Sequence, residues 1–534
     1  MDIHLFIVFP SKVIFVQIVC CGFIVRCGGV VQILLEQARS IGLSGGRENR
    51  GEEPVFSRVR YKLEPQEVPP RRKQPHPFNP QVSKVGLARV LIREALHLRT
   101  KLRRREYRKV LLSRPCIYGV FGGRFGGFHP VRDRCTGCMR CVQEYPGICS
   151  VERNPEFFNF TDSYWMPDDP TTTSSTPVSI VSYEASTGKI PVRGMGYKGG
   201  FAGPGWDAIW TDMSEIVRPT RDGVYGREYI STLVDLGRKP KFLEFHGEDL
   251  KQTSRAIELP IPILFDYLPS GLNNQSVMAS IGRASRKAGT YFIASHEQVK
   301  HLSEKEITQF IPTMSTSNVL DDGRALKEAP AIELEDYDAS AVAHIRDISP
   351  QAPIIVRIAL TRNADGVATE LAREGVDAIH LVANYHGEGW DAGSQLFVGD
   401  LIRSVHGQLV KEGLRDEVTL IASGGITLAE HVPKAIICGV DLIALDTTVL
   451  VALQAQFVGE CASPETGRIK EEKFDPDWGE QRLVNLLASW HDQLIEILSA
   501  MGMRDVRRLR GDVGRAMFNE DLEKEAFADI IHRT

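Results

Sequence analysis

Apolar positions fall into two regimes along this 534-residue chain. From about residue 258, short apolar runs rich in β-branched and aromatic residues alternate with stretches of helical spacing. The runs are 263–267, 291–295, 310–314, 331–335, 354–360, 378–383, 418–422 and 442–445. Helical stretches lie between them at 274–287, 339–347, 364–374 and 428–438. Eight such units in about 200 residues predict an α/β fold, a (β/α)8 TIM barrel spanning 258–465. A doubly wound sheet is the structural alternative. The third run is the weakest, because Pro312 lies inside it. Residues 466–534 read as a helical C-terminal extension.

The first half has no such rhythm. Residues 1–45 include a strongly apolar run, 5–25, broken by Lys12 and Gln17. It is long enough for a membrane helix, but it lacks a basic leader and a cleavage site. An upstream start codon, a membrane anchor and a buried element are the three readings. Contact with a membrane is expected only through 5–25. Residues 46–114 combine a charged, Pro- and Gly-rich linker with a basic helix over 83–114, capped by Ser83. That helix is either a solvated face on a docking helix or a contact for an acidic partner protein, a membrane surface or nucleic acid. Residues 151–257 form a connector with a glycine cluster, Gly194 to Gly205, interrupted by Pro204. The cluster lacks the strand and long helix that a dinucleotide fingerprint needs.

Apolar content of 43% and charged content of 25% are ordinary globular values. A net charge of −4 points to no nucleic-acid partner. Ten cysteines in a chain this long do not make a disulfide scaffold, and a reducing, cytoplasmic setting fits them better. Five of them, Cys116, Cys135, Cys138, Cys141 and Cys149, crowd together.

Within the module 115–150, Cys135, Cys138 and Cys141 form a C-x2-C-x2-C run. Two-residue gaps let one loop wrap three thiolates around a cluster, and Gly137 relieves crowding. Tyr145 stands where a ferredoxin run would place its fourth cysteine, with Pro146 after it. The fourth ligand is then Cys149, with Cys116 as the runner-up. A single 4Fe–4S cluster in a small ferredoxin-like module is the reading, and a structural zinc site is its competitor.

In (β/α)8 enzymes the chemistry sits at the C-terminal strand ends, with a phosphate site after strands 7 and 8. Here the seventh run ends in Ser423, Gly424 and Gly425, and the eighth in Asp446, Thr447 and Thr448. Glycines let backbone N–H groups approach an anion, and a helix start favours negative charge. His296 and Glu297 after the second run, and His386 and Glu388 after the sixth, are candidate acid–base groups. His380, inside the sixth run, reads as a packed core histidine.

The segments 215–226, 353–360, 413–425 and 444–453 carry a resemblance to the FMN-binding domain of glutamate synthases. The likeness is greatest to the archaeal-type arrangement, with a ferredoxin-like module ahead of the barrel. The resemblance implies FMN at the barrel mouth, its phosphate on Gly424, Gly425, Thr447 and Thr448, and its ring bordered by Ser270 and Gly271. It implies electrons relayed from the cluster to the flavin. It further implies hydride transfer to the imine of 2-oxoglutarate and ammonia, giving glutamate. The chain departs from the family at four places, one being the three-cysteine insertion that follows strand 8 in the large bacterial enzymes, of which only Cys461 remains. Arg357 stands in the fifth run where the family has Lys. Residues 294–297 and 384–390 replace the family's glycine-rich loops. Expected partners are 2-oxoglutarate or a related oxo acid, a glutaminase subunit, and an electron-donor subunit or ferredoxin. The alternatives are flavin chemistry on another oxo acid or a methylated amine, and a non-catalytic electron-transfer or scaffold subunit.

Overall fold

The computed structural model describes residues 3–9, 12–18, 61–71, 78–86, 130–154, 175–190, 205–211, 229–240, 255–268, 275–315, 323–391, 396–457 and 473–518, with shorter pieces between them. The chain divides into two units, 1–59 and 60–534. In the first, β1 (Ile3–Phe9) and β2 (Lys12–Ile18) pair antiparallel, with Phe9 opposite Lys12. The apolar run is therefore a hairpin over these residues and not one helix. Ile, Val and Phe favour strands, and Pro10 interrupts the run. Among the described residues no helix is long and apolar enough to cross a membrane.

The second unit opens with β3 (Phe78–Val82), α1 (Arg140–Glu144) and β4 (Cys149–Arg153). The connector contributes α2 (Ser175–Thr187), β5 (Ile209–Thr211), β6 (Val234–Arg238), β7 (Phe245–His246), β8 (Asp249–Leu250) and β9 (Arg255–Leu259). Only the first turn of the basic helix lies within the described residues. There Ser83 Oγ accepts from the Gly86 N–H at 3.2 Å, as an N-cap does.

Eight parallel strands then close on themselves: β10 (Ile263–Phe265), β11 (Phe292–Ser295), β12 (Phe310–Met314), β13 (Ile332–Leu334), β14 (Ile354–Ala359), β15 (Ala378–Val382), β16 (Thr419–Ser423) and β17 (Leu442–Leu445). β10 pairs with both β11 and β17, which excludes the open doubly wound sheet. The strands read as near-continuous apolar runs because a barrel strand is covered on both faces. All eight fall within the runs expected from the sequence, apart from a one-residue shift at β16. Pro312 is tolerated in β12. It pairs with Ala294, while pairing to β13 begins only at Thr313, so its missing N–H falls outside that ladder.

The outer layer is α3 (Gln275–Ala288), α4 (His296–Val299), α5 (Gly323–Glu328), α6 (Ala339–Ile348), α7 (Ala364–Arg373), α8 (Val398–Lys411), α9 (His431–Cys438) and α10 (Thr447–Ala452). After β18 (Gln456–Phe457) and β19 (Ile469–Lys470) comes α11 (Pro476–Ala500), which starts with Asp475 as cap and Pro476 inside its first turn. It packs on α2, where the Trp490 indole donates to Glu184 at 2.8 Å. The extension is not helical throughout. Its last described element, β20 (Ala516–Phe518), pairs antiparallel with β5. The β6–β9 hairpin plugs the N-terminal end of the barrel, with the Thr419 hydroxyl donating to Gly237 O at 2.7 Å. Chemistry is thereby left to the opposite mouth.

Candidate functional site

At the C-terminal mouth, β16 ends at Ser423 and turns through Gly424 (φ 95°) and Gly425 (φ 69°). Both conformations suit glycine alone. A Cβ on Gly424 would lie 2.5 Å from Ala383 O, and one on Gly425 would lie 2.3 Å from Gly387 Cα. The loops after β15 and β16 therefore touch backbone to backbone. The Gly424 and Gly425 N–H groups donate to no protein acceptor among the described residues. The eighth loop is fastened to the seventh, because Thr448 Oγ1 donates to Ile426 O at 3.0 Å. Thr447 Oγ1 donates to Asp446 Oδ1 at 3.0 Å. Both threonine hydroxyl protons are thus committed to protein acceptors, and any anion here would meet backbone N–H groups instead.

Beneath these loops lies a buried polar layer in the barrel interior. Glu333 and His380 are both 0% exposed. His380 Nδ1 lies 2.6 Å from Glu333 Oε1, and its Nε2 lies 3.0 Å from Ser423 Oγ. Arg357 extends from β14 and forks onto Asp266, at 2.8 and 3.4 Å, with Glu333 Oε2 at 3.6 Å. Burial works against ionisation of Asp266, but the charges of Arg357 and His380 outweigh it and hold the carboxyl below its ordinary range. Burial likewise opposes the charge on Arg357, and Asp266 and Glu333 reverse that.

Asp446 has no such cation beside it. Burial, and then the charge of Asp266, push its carboxyl up to about 7. A carboxyl with a raised folded-state value favours folding below its unfolded value, and that contribution is lost as pH rises toward 7. Asp446→Asn keeps an acceptor for the Thr447 N–H and removes the titration. Urea melts of this variant should show a flatter dependence between pH 4 and 7, with the gain over wild type largest above pH 7. An unchanged slope would count against burial as the cause.

The loop after β15 is closed by its own first residue. The Asn384 side chain accepts from the N–H groups of His386 and Glu388, each at 2.9 Å, and its amide reaches the Glu388 carboxylate at 3.4 Å. His386 Nδ1 is buried with no hydrogen-bond partner among the described residues. Trp206, from the connector, reaches over to the same loops. Its indole donates to Gly425 O at 3.1 Å, stacks on His431 and meets the edge of Phe397. Lys434 Nζ donates to its carbonyl at 2.7 Å. His296 and Glu297 begin α4 behind a Ser295/Gln298 capping box and are exposed. Ser270 and Gly271 lie outside the described residues.

The cysteine module is compact. β3 pairs antiparallel with β4, placing Val82 opposite Cys149. Cys116, Cys141 and Cys149 are buried in one apolar cluster. Gly137 (φ 69°) and Met139 (φ 57°) bend the loop, and a Cβ on Gly137 would meet the Phe78 ring at 2.4 Å. The Gly137 N–H points at the Cys135 sulfur, whose thiol burial pushes up to about 11. Among the described residues no group of three or more His, Cys, Asp or Glu side chains is gathered for a single metal ion. One strand pair and one short helix surround the cysteines, and a ferredoxin-like fold is not shown there.

Residues 329–504, which include five of the eight barrel strands, match the protein-family model described as the conserved region in glutamate synthase. An archaeal-type glutamate synthase (NADPH) of Dehalococcoides mccartyi is 23% identical over 445 residues, 71% of this chain and 86% of that one. The archaeal glutamate synthase (NADPH) of Methanocaldococcus jannaschii is 25% identical over 418 residues, 62% and 79% of the two chains. Over these stretches the chain is similar to glutamate synthases. Similarity to the glutamate synthase (NADPH) large chain of Azospirillum brasilense is shorter, 188 residues and 12% of that protein.

In this glutamate synthase-related barrel, sequence reasoning placed Ser423, Gly424, Gly425, Asp446, Thr447 and Thr448 together, and they meet at the mouth. His386 and Glu388 adjoin them through Gly387. Asp266, Glu333 and Trp206 were missed. His380 is indeed buried, but it is hydrogen-bonded at both nitrogens and not merely packed. A charged or imidazole residue inside an apolar strand run was the available signal for Glu333 and His380. Trp206 offered only an aromatic residue after a Gly-Pro-Gly.

Proposed function

We propose that the chain is an FMN-dependent, glutamate synthase-like oxidoreductase that reduces the imine of 2-oxoglutarate and ammonia to glutamate, with electrons relayed through an iron–sulfur cluster. The observation that carries this reading is the joining of the seventh and eighth loops at Thr448 and Ile426, inside a closed barrel whose 329–504 stretch matches the family. FMN, when bound, supplies the hydride for imine reduction.

The residues present fit that group. Gly424 and Gly425 offer open N–H donors to a phosphate, and the neighbouring loop carries an orphaned polar atom, the buried Nδ1 of His386. Trp206 and Lys434 hold the glycine loop from outside, which keeps its donors oriented. His380 fixes Ser423, the residue that leads into the turn. His386 is the group best placed to hold a proton at Nδ1 for a bound substrate. Glu388 is tied to Asn384, and His296 and Glu297 stand exposed at the rim. The cysteines fit a cluster through their donor set, since Cys116, Cys135, Cys138 and Cys141 line one small cavity. Ammonia and electrons would come from partner proteins, a glutaminase and a ferredoxin-type donor.

One observation favours a second reading, another oxo acid or a methylated amine. The Arg357 fork is filled by Asp266, so it does not stand free to clamp a substrate carboxylate. The test is protein purified without oxygen, with released flavin and iron quantified, then incubated with a reduced viologen and 2-oxoglutarate. Flavin release together with glutamate formed from ammonia is the expected result. Formation of an N-methyl product from methylamine alone would move the assignment to the second reading. Absence of flavin, or reduced flavin that no oxo acid and amine reoxidise, would overturn both in favour of a scaffold role.

A further inference from the structure

We propose that Cys116, and not Cys149, supplies the fourth thiolate to the iron–sulfur cluster, while Cys149 stands behind Cys141 as a hydrogen-bonding neighbour. This inference rests on the cluster reading above.

Three observations lead to it. First, one cavity in the module is lined by Cys116, Cys135, Cys138 and Cys141, with Cys149 outside its lining. A cluster is held by sulfurs gathered at one void, and four cysteines line this one. Second, Cys149 is placed by the sheet. It begins β4, pairs with Val82, is buried, and its thiol is hydrogen-bonded to that of Cys141. To reach the void it would have to displace Cys141 or leave the ladder. Third, Tyr118, Val120 and Phe121, from the segment that follows Cys116, line the same void, with Thr136 as a polar member of the lining. The same stretch that delivers the fourth sulfur also excludes water from the site. The Val131 N–H donates to Val120 O at 2.7 Å, fastening that segment to the three-cysteine loop.

Nearness along the chain pointed to Cys149, because only a short segment separates it from Cys141. The fold reverses that order, since Cys149 is held in the β3–β4 ladder and Cys116 lines the cavity. With Cys141 ligated as a thiolate, the Cys149 thiol can donate to its sulfur. A hydrogen bond to a cluster sulfur raises the reduction potential.

The test uses the full chain purified without oxygen, as wild type, Cys116→Ala and Cys149→Ala. Iron, acid-labile sulfide, the electron paramagnetic resonance spectrum of the reduced protein and the midpoint potential are measured on each. Cys116→Ala should lose most of its iron or yield an altered cluster spectrum. Cys149→Ala should keep wild-type iron at a lower midpoint potential. Thermal melts and flavin content of the barrel check folding, and Cys116→Ser gives a second route, with an oxygen ligand that alters the spectrum even if iron is retained. Iron lost from Cys149→Ala, whether or not Cys116→Ala also loses it, would overturn the assignment. So would a wild-type cluster in both Cys116 variants. A wild-type chain without iron would overturn the cluster reading itself, and is told apart because the variants then match the wild type.

Discussion

Gly425→Ala should lower the melting temperature by roughly 4–10 °C and abolish flavin retention through gel filtration. Two costs combine. A side chain at φ 69° is strained, and the new Cβ would stand 2.3 Å from Gly387 Cα and 2.4 Å from Gly387 N. Neither neighbour is a flexible side-chain end, so the loop after β15 must move as a whole. Strain of this kind costs about 2–3 kcal/mol. Moving that loop also displaces His386 and disturbs the bond from Trp206 to Gly425 O. Gly413→Ala is the control. It shares the positive φ, at 67°, but a Cβ there meets nothing within 4 Å. It should cost only about 1 kcal/mol and leave flavin content unchanged. Equal effects in the two variants would mean that the contact between the two loops carries no weight.

Arg357→Met should destabilise the fold by about 3–5 kcal/mol at pH 8. The arginine is the cation facing Asp266 and Glu333, and removing it leaves buried carboxylates without compensation. The pH dependence gives the mechanism. In the wild type the Asp266 carboxyl sits below its ordinary range, so it contributes stability that is present above its unfolded value and lost as pH falls through the folded one. Without Arg357 the larger of the two charges that lower it is gone, and His380 alone remains. Asp266 should then take up a proton more readily, and the deficit should shrink between pH 8 and pH 5. Chemical denaturation at the two pH values checks this. A deficit that stays constant would point to lost packing by the arginine stem and not to the stranded charges. Arg357→Lys, which keeps the charge but loses the fork, should fall between the two.

The glutamate synthase-related barrel was legible because its signal is local. Strands buried on both faces must be apolar, and the helices between them must carry one apolar stripe. The glycines after β16 and the Asp446–Thr448 turn were legible for a similar reason, since a left-handed turn and a helix cap each demand particular residue types. The same local logic left residues 5–25 with three readings, an upstream start codon, a membrane anchor or a buried element; β-branched and aromatic content goes with the strands β1 and β2 over 3–9 and 12–18.

What only the tertiary structure decided involves contacts between residues far apart in the chain. Arg357 stood out in the sequence only as the residue in place of the family's Lys. The barrel brings Asp266, 91 positions away, against it and fills its fork. His380 looked like core packing until Glu333 and Ser423, 47 and 43 positions away, took its two nitrogens. Trp206 lay in a connector without pattern, yet it holds Gly425 from 219 positions away. In the cysteine module the sequence marked the three-thiolate loop, and the tertiary structure placed Cys149 in the β3–β4 ladder opposite Val82. Element type follows from neighbours along the chain, which share a helix turn or a strand face. The charge balance and hydrogen-bond partners of a buried site follow from barrel closure, which no local pattern records.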